Sequence, residues 1–263
     1  MDKTNRFSLM IDALTELAEE EQAHVASLTT GPELPTLSSV IADTSPLPDS
    51  ALFLGLAEDR LPVLLNLYDP IPGPILIIGD QASGKTTLLQ MIARAAELLH
   101  NPEDVQSGII TQRPDEWKNF QNSQSTVGIY SAQENNTPEL LQSLVTWAHN
   151  NKGEGQSILL LIDDLEAVSK LDQLAQQNLR WLLLRGPSRR VWPIVTINAG
   201  KARNMQTWLD FFRTRLFGHT QDASDSNFIA NDQKKTFDDL TAGQQFTMRE
   251  GNSWLNFWAP IID

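Results

Sequence analysis

The sequence feature that most constrains the fold is a glycine-flanked loop directly after a short apolar run. Ile75–Ile78 leads into Gly-Asp-Gln-Ala-Ser-Gly-Lys-Thr-Thr at residues 79–87. This stretch matches the G-x-x-x-x-G-K-[ST] pattern of a phosphate-binding loop in full. The two glycines let the backbone curl so that successive N–H groups point inward, and the helix that follows aims its positive end at the same place. The pattern therefore predicts a binding site for a nucleoside triphosphate.

Each residue of this loop has an expected role. Lys85 is expected to reach the β- and γ-phosphates, and the Thr86 hydroxyl is expected to coordinate Mg²⁺. The other loop residues are expected to hold the phosphates; they are Gly79, Asp80, Gln81, Ala82, Ser83, Gly84 and Thr87.

A second nucleotide-binding signature follows at Ile158–Ile162, an apolar run that ends in two acids, Asp163 and Asp164. A buried strand of this kind releases its acid at the carboxyl edge of the sheet, beside the phosphate loop. Asp163 is expected to hold the Mg²⁺. Asp164 is expected to orient the attacking water, with Glu166 as the second choice for that role. The alternative role for Asp164 is to cap the following turn.

Composition limits the class of protein. The chain has 263 residues, 41% of them hydrophobic, which suits one large domain or one domain with an appended arm. The absence of cysteine excludes disulfides and thiolate metal sites. The start of the chain does not resemble a signal sequence, and no apolar run approaches the roughly 20 residues that span a bilayer. A cytoplasmic protein without membrane insertion is therefore expected.

The charge is unevenly distributed. The formal net charge of −13 argues against nonspecific coating of nucleic acid. Residues 1–50 carry nine acids against two bases, whereas residues 180–221 carry eight bases against one acid. We call residues 180–221 the basic zone. Its arginines have three expected uses: contact with a neighbouring subunit's nucleotide, contact with a polyanion, or solvated surface charge.

The first 50 residues are predicted to be separate from the nucleotide-binding domain. The periodicity of Phe7–Ser27 predicts an amphipathic helix. Such a helix would either pack on its own domain or dock a protein partner or a neighbouring subunit. Leu28–Ser50 contains four prolines among serines and threonines, which is typical of a linker. The domain boundary is predicted near residue 50.

From residue 51 to residue 263, apolar runs alternate with helical segments, which predicts an α/β domain with a mostly parallel sheet. Two predicted strands, Ser107–Thr111 and Thr126–Ser131, lie between the two nucleotide signatures and indicate the class of ATPase with an additional strand. A helix is predicted at Met205–Arg213. A terminal hairpin is predicted at Gln244–Pro260, around the turn Gly251-Asn252.

With these motifs in order, residues 51–263 resemble the FtsK/HerA superfamily of P-loop motor ATPases, which has a RecA-like fold. Three stretches outside the nucleotide signatures carry the resemblance. They are the strand pair Leu54–Val63, the stretch Thr111–Trp117, and the run from Thr196 through Thr214-Arg215-Leu216 to Asp225-Ser226.

The resemblance implies hydrolysis of Mg²⁺-bound ATP that drives movement of a polymer, with DNA as the usual cargo. It also implies a ring, expected to be a hexamer, in which an arginine of one subunit acts on its neighbour's nucleotide. The candidates are Arg185, Arg189, Arg190 and Arg215, and Arg215 matches the family position best. A secretion or conjugation motor would share the fold, and a nucleotide-dependent interaction module with weak or no turnover is the alternative from another class.

Three positions depart from the family pattern. Thr111 replaces an acid, Asp164 replaces a glutamate, and Ile197 replaces a glutamine that contacts the γ-phosphate. The γ-phosphate contact is therefore expected either to be lost or to shift to Asn198.

Overall fold

A computed structural model describes residues 35–132, 134, 136–151 and 155–263, of which Thr36–Asp263 forms one compact unit. Its strands β1 to β10 are Ala51–Ala57, Pro62–Asn66, Ile75–Gly79, Val105–Thr111, Thr126–Ser131, Ser157–Asp163, Val191–Asn198, Thr214–Gly218, Gln245–Glu250 and Ser253–Trp258. Its helices α1 to α7 are Leu37–Thr44, Lys85–Leu99, Asn136–Asn151, Leu165–Val168, Gln173–Arg185, Gln206–Leu209 and Ala223–Ala230. Short 3₁₀ helices cover Pro114–Phe120, Pro187–Arg189 and Ala199–Met205.

The strands form one sheet in the order β2-β1-β10-β9-β8-β3-β7-β6-β4-β5. The strands from β8 to β5 in this order run parallel, and the strands from β2 to β9 are antiparallel. Strand β7 lies between β3, which leads into the phosphate loop, and β6, which ends in Asp163. This confirms the predicted α/β fold with a mostly parallel, RecA-like sheet.

Helices cover both faces of the sheet. On one face lie α1 and α2, with Leu37 and Leu88 fully buried. On the other face lie α3 and α5, with Leu141 and Leu182 fully buried. Because the central strands are covered on both sides, every residue of β3 and of β6 is buried, which explains their continuous apolar sequences. The carboxyl ends of these parallel strands meet at one edge, which is where the two nucleotide signatures lie.

The linker predicted at Leu28–Ser50 is wrong over its second half, because helix α1 lies within it. The Thr36 side chain caps this helix by accepting a hydrogen bond from the Ser39 N–H. The apolar face has helical spacing, which the surrounding serines and prolines concealed. It consists of the buried residues Leu37, Val40 and Ile41. The amphipathic helix predicted at Phe7–Ser27 lies outside the described residues.

The segment after β7 also differs from the prediction. Of the helix predicted at Met205–Arg213, only the four residues of α6 are α-helical, and a 3₁₀ helix that the Asn198 side chain caps precedes them. Helix α7 was not predicted; the Asp222 carboxylate caps it. Within the ranges that the structure describes, no helix is long and apolar enough to cross a membrane.

Candidate functional site

The phosphate loop joins β3 to α2 at the carboxyl edge of the sheet. Ala82 and Gly84 have φ values of 62° and 90°, in the left-handed region. A Cβ atom on Gly79 would lie 2.5 Å from the Oγ of Ser83, and one on Gly84 would lie 2.7 Å from the Cα of Gly243. Both positions therefore need glycine in this conformation.

Two later segments of the chain hold the loop in place. The Asp80 N–H donates to the His219 carbonyl at 2.9 Å, and Asp80 Oδ2 accepts from the Gln221 N–H at 2.8 Å. The Gly243 N–H donates to the Ser83 carbonyl at 3.1 Å. Asp80 thus fastens the loop, and its side chain does not line the cavity described below.

Lys85 lies against the carbonyls at the start of the loop. Its Nζ donates to the Gly79 carbonyl at 3.0 Å and to the Asp80 carbonyl at 2.5 Å. Burial lowers the pKa of Lys85 from 10.5 to about 8, although the carboxylates of Asp163 and Asp80 oppose this shift. Phosphate oxygens in the loop would raise the pKa again, because an opposite charge favours the ammonium form.

The side chains of Thr86, Asp163 and Thr196 form one hydrogen-bonded group. Thr86 Oγ1 lies 3.1 Å from both carboxylate oxygens of Asp163, and the Thr196 hydroxyl donates to Asp163 Oδ1 at 3.1 Å. These residues come from α2, β6 and β7, so three neighbouring elements meet here. A hydroxyl beside a carboxylate fits Mg²⁺, which prefers oxygen ligands and takes its remaining ones from phosphate and water.

Asp164 is held at three points. Its N–H donates to Thr196 Oγ1, its Oδ1 accepts from the Glu166 N–H, and its Oδ2 accepts from Gln112 Nε2, each at 2.9 Å. Its φ of 98° is unusual for a residue other than glycine, and such strain is often found at functional sites. Burial raises its pKa, while the hydrogen bond from the Glu166 N–H opposes the rise. Asp164 therefore caps the following turn and also lines the cavity.

Glu166 and Asn198 were both predicted site residues, but of the two only Asn198 lines the cavity described below. Glu166 pairs with Lys170 at 2.8 Å, does not line the cavity, and has its pKa lowered by that partner. Asn198 ends β7 and lines the cavity. Its Oδ1 accepts from the Gly200 N–H at 3.1 Å, so its NH₂ group is the part that can donate to a phosphate.

A cavity of about 670 Å³ lies over the loop. The predicted site residues that line it are Gln81, Ala82, Gly84, Lys85, Thr86, Thr87, Asp163, Asp164 and Asn198. Five other lining residues had no predicted site role; they are Gln112, Arg113, Glu116, Thr196 and Gly243. The first three follow β4, and Thr196 lies near the end of β7. Because β4 and β7 are the two neighbours of β6, knowledge of the strand order would have predicted these four residues. Gly243 lies in a loop before β9 and had no such signal.

Arg215 is engaged within its own chain. Its guanidinium donates to the carbonyls of Phe212 at 3.2 Å, Leu209 at 2.9 Å and Ile229 at 3.2 Å. Burial lowers its pKa. Reaching a neighbouring subunit would break all three bonds, so contact of Arg215 with a neighbour's nucleotide stays a prediction that requires its side chain to move.

The other three candidate arginines lie where α5 ends and β7 begins, at the amino edge of the sheet. This edge is opposite the phosphate loop of the same chain. Arg185 is exposed, and the guanidinium carbon of Arg190 lies 3.6 Å from the centre of the Tyr68 ring. Arg189 is partly buried. Their position excludes contact with the nucleotide of their own subunit. Contact with a neighbouring subunit's nucleotide, contact with a polyanion and solvated surface charge stay as their predicted uses.

No protein family and no curated protein matches the sequence. Solved structures do match. The cytoplasmic domain of the type VII secretion ATPase EccC from Thermomonospora curvata aligns with a TM-score of 0.66 at 16% identity, over 88% of this chain and 28% of that one. EssC (ATPases 2 and 3) from Geobacillus thermodenitrificans aligns with a TM-score of 0.72 at 13% identity, over 88% and 47%. The pCW3 conjugation coupling protein TcpA, solved with ATPγS, aligns with a TM-score of 0.67 at 14% identity, over 89% and 71%.

These solved structures are FtsK/HerA-type P-loop ATPases. This chain has the same fold as they do. The likeness is one of fold, because the sequence identities lie between 13% and 16%. The chain spans 28% of the length of the EccC structure and 47% of that of EssC.

Proposed function

We propose that this protein binds Mg²⁺-bound ATP in the cavity over the phosphate loop and hydrolyses it as a motor ATPase of the FtsK/HerA type. The observation that carries the proposal is the convergence of Lys85, Thr86, Asp163 and Asp164 around one cavity. Hydrolysis of a triphosphate needs a cradle for the phosphates, ligands for the metal and a group that orients the attacking water. These four residues and the loop meet those three needs.

In this mechanism the loop N–H groups and Lys85 hold the β- and γ-phosphates, while Thr86 and Asp163 hold the metal. Bound Mg²⁺ supplies neutralisation of the charge that develops on the phosphate oxygens. Asp164 accepts a hydrogen bond from the attacking water and orients it toward the γ-phosphorus. The Asn198 NH₂ donates to the γ-phosphate, which is the contact that the family makes with a glutamine.

We infer that hydrolysis drives movement of a polymer and that the polymer is DNA. The resemblance of residues 51–263 to DNA translocases supports this cargo, and the basic zone supplies cations for phosphate contacts. A secretion or conjugation motor is the alternative within the same fold. The names of the similar structures refer to secretion and to conjugation.

The proposed assembly is a ring, expected to be a hexamer, with ATP bound between subunits. Arg185, Arg189 and Arg190 are then the candidates for contact with a neighbour's γ-phosphate. Phe7–Ser27, if it is an amphipathic helix, would dock a protein partner or a neighbouring subunit.

One observation favours a second function. Both carboxylate oxygens of Asp164 already accept hydrogen bonds, one from Glu166 and one from Gln112. A protein that binds ATP and keeps this carboxylate engaged would be a nucleotide-dependent interaction module with weak or no turnover.

Phosphate release from ATP, measured without DNA and with single-stranded or double-stranded DNA, tests the proposal. Lys85→Ala should abolish binding of a fluorescent ATP analogue, and Asp164→Asn should retain binding but abolish turnover. Gln106→Ala is a matched control, since Gln106 lies on β4 and its side-chain amide donates to the Gln124 carbonyl at 3.3 Å, away from the cavity lining.

DNA-stimulated turnover that both substitutions abolish supports the DNA motor. Turnover that DNA leaves unchanged supports an ATPase with another cargo. Tight binding without turnover under every condition would replace the motor with the interaction module.

A further inference from the structure

The contact between Gln112 and Asp164 has no role in the mechanism above. Gln112 follows β4 directly, and its Nε2 donates to Asp164 Oδ2 at 2.9 Å. Strand β4 pairs with β6 so that Thr111 lies opposite Asp163. The next residues on the two strands are therefore neighbours, and the register itself brings the amide to the carboxylate.

The three bonds that hold Asp164 differ in kind. Two of them involve the backbone: the Asp164 N–H donates to the buried Thr196 hydroxyl, and the Glu166 N–H donates to Oδ1. The third comes from Gln112, an exposed side chain on another strand. A side-chain rotation of the exposed Gln112 is enough to break this bond, and it leaves the turn that Asp164 caps unchanged.

The bond from Gln112 opposes the role proposed for Asp164. A carboxylate orients water through a lone pair that points at that water, and a hydrogen bond donated to the charged form makes the carboxylate a weaker acceptor for other donors. With Oδ1 fixed by the turn, Oδ2 is the oxygen that can be redirected. Gln112 holds that oxygen.

The segment that carries Gln112 is anchored and borders the cavity. Trp117 and Phe120 are buried in the core, and Gln90 Nε2 on α2 donates to the Glu116 carbonyl at 2.8 Å. Gln112, Arg113 and Glu116 line the cavity together with the phosphate loop. A bound triphosphate therefore faces the same short segment that restrains Asp164.

We propose that Gln112 is a positioning residue that holds Asp164 in a resting orientation, so that hydrolysis requires the amide to release the carboxylate. This inference rests on the proposed function, because Asp164 is the group assigned there to orient water. Gln112 touches neither ATP nor water in this role and acts only through Asp164.

The test compares kcat, KM and nucleotide affinity for the full chain and two variants. Gln112→Ala removes the donor, and Gln112→Glu keeps the side-chain length without an amide. Gln112→Ala should raise kcat by about fivefold, the rate equivalent of one hydrogen bond of about 1 kcal/mol, with KM and nucleotide affinity changed less than about twofold. Gln112→Glu should also raise kcat, but its carboxylate faces the phosphates and should weaken nucleotide affinity. Gln106→Ala, which also deletes an amide-to-carbonyl contact of β4, should leave kcat unchanged.

Two further measurements separate positioning from a merely structural role. In the Asp164→Asn background, Gln112→Ala should give no increase in kcat, because the released group is gone. In nucleotide-free protein, hydrogen exchange of the Glu166 amide should be faster in Gln112→Ala than in the unmodified chain, because its acceptor Asp164 is then less restrained. Gln106→Ala should not change this exchange.

The outcomes distinguish this inference from the proposed function. If the unmodified protein hydrolyses ATP and both Gln112 variants are unchanged or slower, Gln112 does not restrain Asp164 and the proposed function stands. If the unmodified protein binds ATP without turnover, turnover gained by the Gln112 variants supports the inference, and continued absence of turnover overturns it. If the unmodified protein does not bind ATP, both fail.

Discussion

At the scale of single residues, Thr196 joins the two acids of the site. Its hydroxyl donates to Asp163 Oδ1 at 3.1 Å and accepts from the Asp164 N–H at 2.9 Å. The residue is 2% exposed, so water cannot replace either bond. One hydroxyl thereby fixes the expected metal ligand relative to the group that orients water.

Thr196→Val keeps the shape of this side chain and removes the hydroxyl. We expect a loss of about 2 kcal/mol in the free energy of unfolding and roughly tenfold lower turnover, because the Asp164 N–H loses its acceptor and both acids lose their common anchor. Urea unfolding and phosphate release measure the two effects. Thr196→Ser retains the hydroxyl and should behave like the unmodified chain. Equal turnover of the valine and serine variants would contradict this role.

We expect the buried charge of Lys85 to lower the free energy of unfolding of the nucleotide-free protein at neutral pH. Its pKa is lowered from 10.5 to about 8, so between these values the unfolded chain binds more protons and the stability of the fold rises with pH. Lys85→Met removes the buried charge and should stabilise the nucleotide-free protein at pH 7 by up to about 3 kcal/mol, while abolishing ATP binding.

The difference in unfolding free energy between the Lys85→Met and unmodified chains should be smaller at pH 10 than at pH 7, because Lys85 is largely neutral at pH 10 in the folded unmodified chain. Urea unfolding of both chains at pH 7 and pH 10 measures it. Other groups titrate in the same way in both chains, so they cancel. A difference that is the same at both pH values would show that burial of the charge carries no cost.

At the scale of elements, helix α1 is part of the same compact unit as the phosphate loop. Leu37 is 0% exposed and packs in the core cluster on the α2 face of the sheet. Leu37→Ala should cost about 2–5 kcal/mol in the free energy of unfolding because it leaves a cavity. The neighbouring exposed Ser39 is the control, and Ser39→Ala should change stability by less than about 0.5 kcal/mol. If the two variants unfold at similar urea concentrations, α1 does not contribute to the core and this segment behaves as a linker.

Elements with a strong local pattern could be predicted, and those defined by distant contacts could not. The continuous apolar runs of β3 and β6 are typical of buried central strands, so the strands that lead into the phosphate loop and end in Asp163 were predicted from the sequence. Thr196 and Gln112 were not assigned to the site, because their roles depend on β7 and β4 lying on either side of β6. The bonds of Arg215 were equally out of reach, since its acceptor at Ile229 belongs to a helix that the sequence did not indicate.

At the scale of the whole molecule, the phosphate loop depends on the far end of the chain. Asp80 Oδ2 accepts from the Gln221 N–H, 141 residues away in the sequence, and a Cβ atom on Gly84 would lie 2.7 Å from the Cα of Gly243. Segments after β8 thus complete a site whose two motifs lie earlier in the chain, one directly after β3 and one at the end of β6. Such contacts cannot be predicted from a local motif, because they form only when the sheet brings β8 beside β3.

A ring in which one subunit supplies an arginine to its neighbour's ATP would share each active site between two chains. Arg185 is exposed at the amino edge of the sheet, so it can act only on another subunit's nucleotide. Arg185→Ala alone should lower turnover at least about tenfold while ATP affinity is retained, because the charge on the γ-phosphate loses one partner. Lys85→Ala alone should be inactive because it does not bind ATP.

Mixing these two inactive variants should restore turnover. In a random equal mixture, about one quarter of the interfaces combine an intact Lys85 with an intact Arg185 from the neighbour, because adjacent positions in a closed ring are filled independently. Phosphate release after mixing and reassembly measures the recovery, and mixtures made with Arg189→Ala or Arg190→Ala test the other two candidates. Arg213→Ala is the matched control: this exposed arginine lies in the basic zone but is not a candidate, so the variant should be active alone. Turnover in none of the three mixtures would exclude these arginines from a shared site and leave each subunit to hydrolyse ATP with its own residues.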